Sequence, residues 1–312
     1  MHLRVMFIVL LIALLAAGAG AGSNVKRDAA TGTRAESFPA HSSKQSLAQE
    51  TSMSDIFAGD SDTLSYEHYF IAKRRKRVRL DYPQGLQRGP LRIHSSYAVL
   101  QRKGRVLAEF DDNIYSTYGN NIRFGLFAFL PGPTKQLLVS QEVFRGGTQW
   151  VINFSLQPRT IFDGPRWEVG REGDDMSVID LDHDGTFEII VPLTDFYVFQ
   201  DKLPIARIPL PRIVFKYNDK VRKYVPANPL FESYMIPFGE RTAAGSADEF
   251  DQRARALEQL LTLIYAGRRS EAWETYRRTY KLGDAAEIQR RIEAILVKQP
   301  VYKFIYNNAS RK

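Results

Sequence analysis

The sequence predicts a mainly β protein, a sandwich or a partial propeller-like set of sheets, followed by a C-terminal α-helical bundle. Three observations predict it. Between residue 66 and about residue 225, short β-branched and aromatic runs alternate with Gly and Pro, and no helical segment of normal length separates them. After Gly245 the apolar residues fall into three-to-four spacing. The chain of 312 residues is 44% hydrophobic, enough for a folded core.

Taken in order, "MHLRVMFIVLLIALLAAGAGAGS" places Arg4 ahead of a short apolar run and then Ala17, Ala19 and Ala21. This layout predicts a secretory signal over residues 1–21, cleaved after Ala19 or Ala21. The apolar run is too short for a comfortable membrane span, so none is expected after cleavage. Residues 22–63 turn to Ser, Ala, Thr, Gly and mixed charge, with scattered Phe38, Ile56 and Phe57, and read as a flexible linker.

A β-rich domain is expected over residues 64–240. "LRIHSSYAVL" and "RVLAEF" flank a polar connection ending in Gly104 and predict a hairpin; "RIVFKY" and "VRKYVP" around residues 218–220 predict a second. Between them "FGLFAFL", "KQLLVS", "TQWVINFSL", "EIIVPL" and "DFYVFQ" read as strands. One internal echo sets "QLLV" at Gln136 against "EIIV" at Glu188, with "PGPT" opposite "HDGT", an interval that suits a blade-like β unit.

Residues 241–312 are expected to be helical. Ser246 and Glu249 form a capping box ahead of Phe250, Ala254, Leu257, Leu261 and Ile264, and Gly267 ends that helix. Ser270 is placed to cap a second helix bearing Trp273, Tyr276 and Tyr280. Asp284 and Glu287 open a third, with Ile288, Ile292, Ile295 and Leu296 before Pro300.

The absence of cysteine excludes disulfides, thiolate metal sites and a cysteine nucleophile. The formal net charge is +8, but six positive charges lie in "KRRKRVR": Lys73, Arg74, Arg75, Lys76, Arg77 and Arg79. The remainder is almost neutral, so a nucleic-acid-binding face is not expected. The run suits contact with an anionic envelope polymer, lipid headgroups or an acidic partner, or else the protection of a strand edge.

"VIDLDHDGTFEIIVP", residues 178–192, carries the clearest chemistry. Carboxylates at alternate positions converge on a hard cation while glycine allows the sharp turn, and a carbonyl and a later acid complete an oxygen shell. The positions are Asp180, Asp182, Asp184, Gly185, Thr186 for the carbonyl, and Glu188. Val191 stands where an EF-hand has its glutamate, which excludes that motif. The stretch "DLDHDGTFEIIV" resembles the loop of FG-GAP and VCBS-type repeats. That resemblance implies a structural Ca2+ on Asp180, Asp182, Asp184 and Glu188, in an exported protein. His183 replaces the usual Gly or Asn, and only one intact copy is present.

His68, His94 and His183 read as packed or exposed. No G-x-S-x-G elbow, H-E-x-x-H helix or Gly-rich phosphate loop occurs. "RGGTQW", residues 145–150, reads as a bulge or turn, or as a place where a ligand nears the backbone. The resulting expectation is an exported, periplasmic or extracellular binding or scaffolding protein with a structural calcium loop and an unknown protein or envelope polymer as partner. The alternative is an envelope glycan hydrolase using Glu168, Asp174 or Asp175.

Overall fold

The computed structural model describes residues 51–52, 56–57, 61–80, 91–112, 120–143, 146–154, 158–165, 176–241 and 248–309. The expected signal, most of the expected linker, and Glu168, Asp174 and Asp175 lie outside the described residues. Contacts divide the chain into one unit of residues 45–78 with 93–312 and another of 1–44 with 79–92. Of the latter, only strand ends at 79–80 and 91–92 are described.

Among the described residues, three sheets follow one another along the chain. The first orders β2 (Thr63–Tyr66), β3 (Tyr69–Leu80), β4 (Leu91–Arg102) and β5 (Arg105–Phe110). The second orders β6 (Asn120–Phe127), β7 (Gln136–Val143), β8 (Gly146–Asn153) and β9 (Arg159–Asp163). The third contains β10 (Ser177–Ile179), β11 (Glu188–Pro192), β12 (Arg212–Asn218) and β13 (Lys223–Pro226), with β1 (Thr51–Ser52) paired along β10. The architecture is β-rich and sandwich-like, and no sheet closes into a barrel among the described residues.

Side-chain alternation stacks these sheets face to face. On β7, Leu137 and Val139 pack with Ile71, Ala98 and Leu100 of the first sheet. Leu138, between them, packs with Val178, Ile189 and Val191 of the third. The second sheet is therefore buried on both faces, which is why its strands read as near-continuous apolar runs. In the third sheet Ile190 and Val214 turn the other way, against Phe231 and Met235. At one end of the second sheet the interior becomes polar. There Gln141 bonds the Ser96 carbonyl, Asp111 and the Asp112 amide, and Thr148 donates to Asp112.

The two expected hairpins form, β4 with β5 and β12 with β13. Lys103 and Gly104 both adopt positive φ, as a tight turn between twisted strands requires. "DFYVFQ" differs from expectation. It is a 3-10 helix, Asp195–Asp201, whose buried Phe196 and Phe199 follow the three-residue turn instead of strand alternation. The ordered body also reaches back before residue 63. β1 joins the third sheet, Phe57 is buried in the core, and the Ile56 carbonyl lies only 2.8 Å from where Gly125 would carry a Cβ.

Among the described residues, five helices occupy the C-terminal part: α1 (Glu232–Arg241), α2 (Glu249–Tyr265), α3 (Arg269–Thr279), α4 (Ala285–Leu296) and α5 (Pro300–Ala309). α1 falls inside the segment read as β, because Pro237 and Gly239 disguise it. α5 starts at Pro300, where a missing N–H is no loss. The N-cap of α2 is Asp248, accepting from the Asp251 amide at 2.6 Å; Ser246 lies outside the described residues. Gly267 at φ 88° closes that helix, with the Arg268 amide reaching back to Leu263. α3 begins at Arg269 without the side-chain cap expected from Ser270. Asp284 opens α4, but its carboxylate accepts from the Tyr280 hydroxyl and Arg253 and caps nothing. No helix among the described residues is long and apolar enough to cross a membrane.

Candidate cation-binding loop

The loop of residues 180–188 joins β10 to β11, whose register pairs Ile179 with Glu188. This pairing brings its two ends together, so the first and last acids become neighbours. Asp180 is 1% exposed and Glu188 fully buried, while Asp182 and Asp184 sit at the surface. One carboxylate oxygen each from Asp180, Asp182 and Glu188 lies within 4.8 Å of the others. Oxygens bound to one calcium at about 2.3–2.6 Å span up to about 5 Å, so this spacing fits one ion.

The loop backbone is organised by its own acids. Asp180 accepts from the amides of Asp184 and Gly185, both at 3.1 Å, and Asp184 accepts from the Thr186 amide at 2.7 Å. Glu188 Oε2 accepts from the Leu181 amide at 2.8 Å. Gly185 takes φ 82° and His183 φ 59°, so the residue that departs from the FG-GAP pattern occupies a left-handed position.

Lys216 is the feature that the linear pattern does not contain. Its ammonium donates to Asp182 Oδ2 at 2.8 Å, Asp184 Oδ2 at 2.7 Å and Glu188 Oε1 at 3.2 Å. Burial works against the charged lysine, yet the three carboxylates outweigh it and hold its pKa above the ordinary 10.5. Burial also works to raise Asp184, but the Lys216 and Thr186 bonds prevail and lower it. For Glu188 burial prevails, pushing its carboxyl up against the pull of the Leu181 amide and Lys216. The mutual repulsion of crowded acids, which by itself calls for an added cation, is thus relieved from within the chain.

The turn preceding β7 sits beside this one. The Phe187 amide donates to the Phe129 carbonyl at 2.9 Å, and the rings of Phe129 and Phe187 both meet Phe127 edge-on. Gln136 opens β7 as Glu188 opens β11. Its side chain accepts from the Leu130 amide at 3.0 Å, as Glu188 accepts from Leu181. The echo between residues 136 and 188 is therefore a repeated way of closing a turn, with neutral Gln in the turn that lacks the acids.

Other candidates are placed as follows. Arg74, Arg75 and Arg77 are exposed on β3, while Lys73 bonds Asp62 and Asn121, and Lys76 pairs with Asp111. Trp150 and the rest of residues 146–150 form β8, so the paired glycines open a strand. His68, His94 and His183 are exposed. The chain matches no family model, no curated protein and no solved structure.

Proposed function

We propose that this chain is an exported, non-catalytic binding or scaffolding protein of a periplasmic or extracellular space, carrying a structural calcium in the 180–188 loop. In this reading the loop is of the FG-GAP and VCBS type, with Asp180, Asp182, Asp184 and Glu188 as carboxylate ligands and the Thr186 carbonyl completing the set. The three sheets are read as consecutive blade-like units, and the C-terminal helices as a bundle docked on the last. The observation that carries the proposal is the approach of Asp180, Asp182 and Glu188 oxygens to within 4.8 Å. Calcium would cross-link the two ends of the hairpin and stiffen the third sheet.

The binding role rests on a smaller feature. Arg74, Arg75 and Arg77 line an exposed strand, and such a run attracts an anionic envelope polymer or an acidic protein by local charge. Calcium titration by calorimetry tests the site. One site with a dissociation constant of roughly 0.1–1 mM is expected for the mature chain, as in extracellular calcium modules, and none for Asp182→Ala. Equal heats from both proteins would remove the loop from the reading.

A further inference from the structure

The calcium reading leaves one side chain unexplained. Lys216 lies on β12, and the register that sets Ile189 opposite Phe215 places it across from Glu188. From there the ammonium directs all three of its hydrogens at carboxylate oxygens of Asp182, Asp184 and Glu188. These include two of the three acids that converge closely enough for a metal. The fourth acid, Asp180, is turned to the loop amides and needs no cation for its bonds.

We propose that Lys216 is the loop's internal cation, that calcium enters only by displacing it, and that Lys216 thereby sets the calcium concentration at which the loop loads. The inference rests on the calcium reading. An ammonium and a divalent ion cannot share the same oxygens, because the two positive charges would stand a few ångströms apart in a partly buried site. With the lysine seated, four carboxylates present a net charge of three negative units; with it withdrawn, four. Calcium loops are tuned by that charge count. A loop of this design keeps its shape at low calcium and rearranges Lys216 at high calcium. A loop relying on the ion alone would lose its shape instead.

The test compares the mature chain with Lys216→Met and Lys216→Gln by calcium calorimetry and by melting in EDTA. Both variants should bind calcium about tenfold or more tightly and melt below the parent in EDTA, with calcium restoring the difference. A second arm needs no variant. Amine acetylation of the parent protein, read by mass spectrometry, should find Lys216 protected in EDTA and labelled at saturating calcium. Calcium binding with Lys216 equally protected, or unchanged affinity in the variants, overturns displacement and leaves the calcium site standing. Absence of calcium binding in parent and variants overturns both. Should neither variant fold at any calcium concentration, the acetylation result on the parent decides.

Discussion

Asp180 holds the backbone of the loop through the amides of Asp184 and Gly185. It is buried and accepts two amide hydrogen bonds, so Asp180→Ala should cost about 2–4 kcal/mol by urea unfolding in EDTA, and more in calcium, where the ion's own stabilisation is lost as well. His183 works against the turn it occupies. At φ 59° and exposed, it should improve on replacement: His183→Gly should raise stability by about 0.5–1 kcal/mol, relief of left-handed strain exceeding the added chain entropy. The acids were legible from spacing because ligands two to eight residues apart must meet on a tight turn. Lys216 was not, because it arrives from another strand and only the β11–β12 register places it against Glu188.

Among the elements, the strands of the second sheet were readable because burial on both faces leaves short continuous apolar segments such as Leu137–Val139 and Trp150–Ile152. Residues 195–201 misled for the same reason, since aromatic content suggests a strand until the three-residue spacing of Phe196 and Phe199 is seen. The segment around Phe57 looked like linker because a few apolar residues among polar ones give no period. Its docking depends on a bare Gly125, so Gly125→Ala should push the Ile56 carbonyl away and destabilise the protein by about 1–3 kcal/mol, with residues near 57 becoming sensitive to limited proteolysis. In the helices, Asp284 is held below the ordinary 3.8; burial opposes this, but the Tyr280 hydroxyl, Arg253 and Lys202 prevail. A lowered folded pKa means the stabilisation is present above pH 3.8 and lost as pH falls through the folded value. Asp284→Asn should therefore cost about 1–3 kcal/mol at pH 7 and show a flatter loss of stability below pH 3.8, followed by circular dichroism.

At the level of the whole molecule, three sheets stacked face to face share cores that no single sheet could bury alone, and the 180–188 hairpin lies where the second and third sheets meet. The Phe187–Phe129 backbone bond and the aromatic contacts around Phe127 connect that hairpin to the neighbouring turn. Tightening the loop should therefore be felt in global unfolding. The most direct test is the melting temperature of the protein in EDTA and in millimolar calcium, beside Asp182→Ala. The calcium reading predicts a rise of a few degrees for the parent, on the order of the stabilisation that binding well above the dissociation constant supplies, and none for the variant. An unchanged melting temperature in both proteins would contradict it and leave residues 180–188 as an acidic turn bridged by Lys216.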